Sequence, residues 1–387
     1  MRRVDTGETI SWAEFCAVFR PGEGEPEQLW EVDYALEELA DRYGETLFGQ
    51  SGEGIFRFWP LLPVGESEQR LSLQEGNTPL LATRHYGQDT GVHYFLKNEC
   101  RNPTGSFKDR YDCVSINVAR ALGFKRVVCA STGNHALSVA TYAAAAGMGC
   151  QAIVADSISE QVLATLKICG SEVRVVSPTD RFEILAEAGR SGAFPVGLFM
   201  PGPTSNPFGI EGYKTIAYEI FEQLGKVPDA VIFPCARGNG LYGTWKGFQE
   251  LRTVGLLDRS PRMYACQPSA GSSLVQAFDS GWNSPGMVEP GYTIADAICE
   301  TVSSQQALDA IYTSGGAAVS VGEDQIVEAM FQLGSEGVFA EPSSAAALAG
   351  ASELNRRNLV GPGDHVVVVI TSSGLKSNRA ACERILG

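Results

Sequence analysis

The chain has 387 residues, 45 acidic against 30 basic, for a formal net charge of -15. That length buries a large core and suits two or three domains, while the negative balance offers no field for nucleic acid or an anionic membrane, so neither is expected as a partner. The start, MRRVDTGETISWAEF, lacks the apolar run of a secretory signal, no segment approaches a membrane-spanning length, and ten cysteines without a C-x-x-C pair read as free thiols, so a cytoplasmic protein without a metal site is expected.

Residues 1–70 carry Gly, Glu and Pro punctuation (RPGEGEPEQ) and one helical run, YALEELADRYGETLF, and are assigned as an extension packing on the larger of two domains. From Val92 onward, short β-branched runs alternate with helical stretches: HYFLKN, KRVVCA, CQAIVA, EVRVVS, DAVIFPC, RMYACQ and HVVVVIT are predicted strands, each followed by a predicted helix. Such alternation argues for parallel sheets covered by helices on both faces, with sites in the turns after the strands' carboxyl ends.

Two of those turns carry chemistry. CARGNGLYG, residues 235–243, reads Gly238-x-Gly240-x-x-Gly243 between a strand and a helix, the layout of a dinucleotide turn. An NAD site also needs an acid at the end of the next strand, about 20 residues on. Here that strand ends in Gln267, and Asp258 lies in a turn ahead of it. Converging N–H groups at a helix start still suit some other phosphate, although a tight turn that binds nothing has the same pattern. NPTGSFKDR, residues 102–110, begins as a turn, offers Ser106 as a helix N-cap, and sets Lys108 in the first helical turn. The helix dipole disfavours a cation there, which lowers an amine's pKa and makes it a better nucleophile toward an aldehyde; alone, such a lysine reads first as an ordinary surface residue.

NPTGSFKDR, STGNHALSVATYAAAAGM (131–148), the glycine turn with WKGFQEL (245–251), EPSSAAALAG (341–350) and VVVVITSSGLK (366–376) follow in the order found in pyridoxal-phosphate enzymes of fold type II. The chain resembles them, and threonine synthases in particular, from about Leu29 to Lys376. The resemblance implies the tryptophan synthase β-like architecture: two three-layer α/β/α domains with mostly parallel sheets. Residues 71–112 with 206–387 would form the large cofactor-binding domain and 113–205 the small one. It further implies a homodimer and pyridoxal phosphate carried on Lys108. Asn134 would bond the cofactor's ring hydroxyl, Ala236, Arg237, Gly238, Asn239 and Gly240 would hold its phosphate, and Thr371 would face its ring nitrogen. Ser131 and Thr132 would receive the substrate carboxylate.

The chain departs from threonine synthases on the substrate side. Where they commonly have NPYRLEGQK this sequence has NPFGIEGYK, so Gly209 stands in place of an arginine expected to grip the substrate's phosphate. His135 replaces a small hydroxyl, Arg237 an asparagine, and Ser372 and Ser373 a glycine and a histidine. His135 and Arg237 are therefore expected to contact an amino-acid substrate other than O-phosphohomoserine whose activated side chain, phosphorylated or not, undergoes elimination or replacement at Cβ or Cγ. The alternative is β-replacement or β-elimination on O-phosphoserine, O-acetylserine, serine or threonine; a non-catalytic relative and a nicotinamide enzyme rank below it.

Overall fold

The computed structural model describes residues 1–4, 6–18, 30–65, 70–131, 133–156, 158–177, 180–199, 204–376 and 379–386. The chain packs into two compact units, residues 1–76 with 108–213 and residues 77–107 with 214–387.

The second unit is built on a six-stranded sheet in the order Ala317–Val321, Arg262–Pro268, Ala230–Pro234, His365–Ile370, His93–Asn98, Leu80–Ala82. All pairs are parallel except the last. The central runs AVIFP and VVVVI are buried residue after residue, as a parallel strand covered on both faces requires. The helix Pro342–Arg356 covers one face. Its small residues allow the close approach: a Cβ on Gly350 would stand 2.8 Å from Cys266 Sγ.

The first unit holds a four-stranded parallel sheet in the order Glu172–Val176, Gly149–Ala155, Arg126–Ala130, Phe194–Pro195. The helices Lys108–Ala121 and Asn134–Ala145 pack together beside it. The N-terminal extension, expected on the larger domain, groups with this unit. Buried polar contacts hold the segment that follows it, residues 71–75, in the same unit. Glu75, fully buried, accepts from Tyr142 Oη at 2.7 Å and from the Leu73 N–H at 3.0 Å, and Leu71 exchanges bonds with the Asn117 amide. The chain passes between units at Gly76/Asn77, at Phe107/Lys108 and at Tyr213/Lys214, the last inside the helix Pro207–Leu224. No helix among the described residues is long and apolar enough to cross a membrane.

Candidate active site

In the second unit, the strand Ala230–Pro234 gives way to the glycine turn, and the helix Asn239–Thr253 starts after Gly238. Gly238 takes the left-handed φ of 87° and has no side chain with which to cap the helix. A Cβ there would lie 2.3 Å from Ala307 Cβ, and one on Gly240 would lie 2.7 Å from Phe107 Cε2. Both glycines are therefore needed for close approach as well as for backbone freedom.

The carbonyls of this turn are pulled to one side. Gln267 Nε2 donates to the Cys235 and Ala236 carbonyls at 3.2 and 3.4 Å, Ser303 Oγ donates to the Ala236 carbonyl at 2.7 Å, and the Ser304 N–H donates to the Arg237 carbonyl at 2.9 Å. Within a peptide plane the next residue's N–H points away from the carbonyl. The N–H groups of Ala236, Arg237 and Gly238 are thus turned to the opposite side, beside a helix start without a side-chain cap, an arrangement whose chemistry suits an anion. Gln267 is itself fixed, since its Oε1 accepts from the Leu274 and Val275 N–H groups at 2.8 and 3.4 Å. The residue that removed the NAD reading is the brace of the turn. Its only sequence signal is a glutamine closing an apolar strand.

Thr371 follows the strand His365–Ile370 and is 4% exposed. Around it the segment Gly105–Phe107 runs antiparallel: the Ser373 N–H donates to the Gly105 carbonyl at 2.9 Å, Ser106 bridges Ser372, and the Phe107 N–H donates to the Thr371 carbonyl at 2.8 Å. Ser106 was expected as an N-cap. The helix instead opens at Lys108, and Ser106 Oγ accepts from Ser372 Oγ at 2.7 Å. Lys376 Nζ donates to the Thr104 and Gly105 carbonyls at 3.1 and 3.2 Å, holding the same loop.

In the first unit, Lys108 is the first residue of its helix and Asn134 the first of the helix Asn134–Ala145. Ser131 follows the strand Arg126–Ala130, and its Oγ accepts from the Gly133 N–H at 3.4 Å. Thr132 lies outside the described residues. His135 is enclosed by protein acceptors. Its Nδ1 lies 3.1 Å from Asp112 Oδ1 without hydrogen-bond alignment, and its Nε2 lies 3.2 Å from the Val196 carbonyl. Gly197 clears the space, since a Cβ there would meet Nε2 at 2.5 Å. Asp112, buried and one turn beyond Lys108, and Tyr111 were not singled out from sequence, because their partners lie far along the chain.

Gly209 lies against the helix Lys108–Ala121. A Cβ on it would stand 2.4 Å from Tyr111 Cε1 and 2.6 Å from Ser115 Oγ, and one on Gly212 would stand 2.0 Å from the Arg110 carbonyl oxygen. The Tyr111 ring fills the space beside Gly209, packs edge-on against His135 with centroids 5.8 Å apart, and donates its hydroxyl to the Gly197 and Asn206 carbonyls at 3.0 and 3.2 Å.

A family model described as pyridoxal-phosphate dependent enzyme matches residues 71–372. The threonine synthase of Methanocaldococcus jannaschii is 35% identical over 361 residues, covering 91% of this chain and 88% of that protein. That of Mycobacterium tuberculosis is 35% identical over 319 residues, covering 81% and 86%. Among solved structures, threonine deaminase isoform 2 from Solanum lycopersicum aligns with a TM-score of 0.68 at 19% identity over 94% of this chain and 96% of that one. A fungal L-serine ammonia-lyase from Rhizomucor miehei aligns with a TM-score of 0.68 at 20% identity, over 80% and 97%. These two likenesses are of fold.

Proposed function

The chain belongs to the pyridoxal-phosphate dependent enzymes, and we propose that it is an amino-acid lyase of threonine-synthase type acting on a substrate other than O-phosphohomoserine. Bound pyridoxal phosphate supplies an electron sink for charge developing at Cα of an amino acid. The observation that carries the reading is the turned-back row of carbonyls at Cys235, Ala236 and Arg237, which fits a phosphate on the N–H side of the turn. In this reading Thr371 faces the ring nitrogen, Asn134 bonds the ring hydroxyl, and Lys108 is the covalent anchor. With the cofactor bound, the Lys108 amine would serve as the base for the Cα proton, and the group lost would come from Cβ or Cγ. Ser131 and Thr132 hold the substrate carboxylate. His135, with an acceptor beside each ring nitrogen, shapes the substrate side rather than bonding to it, and Arg237 is the cation assigned to a polar side-chain group of the substrate.

Substrate choice rests on Tyr111. Its ring takes up the room beside Gly209 where threonine synthases commonly carry an arginine, which favours an unphosphorylated side chain. The β-chemistry of O-acetylserine, serine or threonine fits this better than γ-chemistry on a phosphate ester. Nine described cysteines are unpaired thiols, in keeping with a reducing cytoplasm, where we place the protein as a homodimer. Steady-state rates on O-phosphohomoserine, O-phosphoserine, O-acetylserine, serine and threonine test the reading: turnover is expected on an unphosphorylated substrate, and efficient formation of threonine from O-phosphohomoserine would overturn it.

A further inference from the structure

The second unit holds a cavity of about 400 Å³ beside the amino end of the strand His93–Asn98, whereas the turns of the candidate active site follow the carboxyl ends of the sheet. Its walls are the loop between the strands Leu80–Ala82 and His93–Asn98, the helix Glu323–Ser335 and the last turns of the helix Pro342–Arg356. Gly87 lets that loop lie on Tyr94: its φ is a left-handed 75°, and a Cβ on it would stand 2.5 Å from Tyr94 Cδ2. The volume suits a small molecule.

Tyr94 is 3% exposed, and its hydroxyl has no hydrogen-bond partner among the described residues. Burial pushes the phenol up, so it stays protonated and is a donor without an acceptor. Leaving such a group unmade is costly. Other walls of the cavity carry the reverse, acceptors without donors. Asn355 donates its amide nitrogen to the Val360 carbonyl at 3.4 Å and Gln332 donates its own to Glu328 Oε1 at 3.3 Å, and both amide oxygens are left unbonded. The Asp89 carboxylate makes no bond among the described residues. Glu336, by contrast, is already satisfied, since the N–H groups of Arg84, His85 and Tyr86 each donate to it at 2.7 Å.

An ammonium group has three N–H donors, which three unbonded acceptors match, and a carboxylate needs donors, which the Tyr94 hydroxyl and the ring of His85 on the same cavity supply. The rings of Tyr86 and Tyr94, edge to face with centroids 4.9 Å apart, add an apolar surface for a carbon skeleton. A phosphate fits poorly, because the free charge on these walls at Asp89 is negative.

We propose that this cavity is a second ligand site that binds a free amino acid by its zwitterionic head, the ammonium on Asp89, Gln332 and Asn355 and the carboxylate on Tyr94 and His85. The site does not depend on which substrate the enzyme turns over. One element joins it to the candidate active site: the helix Pro342–Arg356 carries Asn355 at its end and Ser344 in its first turn, and Ser344 Oγ lies 2.8 Å from Thr371 Oγ1.

The experiment is isothermal titration calorimetry of the holoenzyme with glycine, L-alanine, L-valine, L-leucine and L-lysine, none of which has a group that can leave from Cβ or Cγ. At least one should bind with a Kd below about 1 mM, and its N-acetyl derivative and the corresponding primary amine without the carboxylate should each bind about tenfold more weakly or worse. Tyr94→Phe and Asp89→Asn should each weaken binding about tenfold or more while cofactor absorbance stays that of the wild type. Asp89 is exposed, so its variant carries the test if Tyr94→Phe does not fold. Binding of none of the five, or binding unchanged in both variants, which would assign it to the active site, overturns the proposal. An amine that binds as tightly as its amino acid overturns it in favour of a simple cation site.

Discussion

The Phe107 N–H donates to the Thr371 carbonyl at 2.8 Å. The same residue closes on the glycine turn, where a Cβ on Gly240 would stand 2.7 Å from Phe107 Cε2 and 3.1 Å from Phe233 Cε1. Phe107 thereby ties the turn proposed for the phosphate to the strand end proposed for the ring nitrogen, and Lys108 is the next residue along the chain.

Gly240→Ala should displace the Phe107 ring, and with it the start of the lysine helix. We expect cofactor affinity to fall about tenfold or more and stability to fall by about 1–3 kcal/mol, with part of both recovered in Gly240→Ala/Phe107→Leu. Absorbance titration with pyridoxal phosphate and urea unfolding measure the two effects. Wild-type cofactor affinity in Gly240→Ala would show that the ring does not set the position.

Gln267→Leu keeps the size of the brace but removes the N–H donors from the Cys235 and Ala236 carbonyls and the acceptor from the Leu274 and Val275 N–H groups. The turn loses the force that orients its peptide planes, and cofactor affinity should fall about tenfold or more. Equilibrium dialysis checks this. A variant of wild-type affinity would mean that the planes are held by Ser303 and Ser304 alone.

Gly209→Arg offers itself as a route to phosphate recognition, but the new side chain would meet the Tyr111 ring first. Even Gly209→Ala should cost about 1–3 kcal/mol by overpacking. Tyr111→Ala should relieve the clash, so the double variant should be less destabilised than the sum of the single changes. Additive losses in a double-mutant cycle on urea midpoints would contradict the packing account.

Acid should weaken the second unit through Glu353. Hydrogen bonds from Arg356, then from Arg357, with burial opposing, hold its carboxyl down to about 2. Because the folded-state pKa is depressed, the stabilisation is present above the ordinary carboxylate range and is lost as pH falls through about 4 toward about 2. Arg356 is largely exposed, so the effect is modest. Glu353→Gln should flatten the acid limb of stability between about pH 4 and pH 2, and an unchanged limb would assign it to other carboxylates.

Legibility in the sequence follows the range of the interaction. Strands such as His365–Ile370 and Ala230–Pro234 are apolar β-branched runs, and the turns that follow them carry their glycines and hydroxyls openly, so Lys108, residues 236–240 and Thr371 could be singled out. The strand Ala317–Val321, AAVSV, has too little side chain to stand out from a helix. Gln267, Ser344, Tyr111 and Asp112 were illegible for a different reason. Each acts through a partner that only the fold supplies: Ser344 reaches Thr371 across 27 positions and Tyr111 reaches Gly197 across 86. The grouping of residues 71–76 with the first unit had the same cause, because Glu75 meets Tyr142 across 67 positions.

The central claim is that Lys108 carries pyridoxal phosphate. Borohydride reduction of the purified holoenzyme, followed by peptide mapping, tests it directly. The account predicts the reduced cofactor on the peptide containing Ser106-Phe107-Lys108, and a folded Lys108→Ala protein that loses both the yellow absorbance and the label. Label on another lysine, or a Lys108→Ala protein that is still fixed by borohydride, would contradict it.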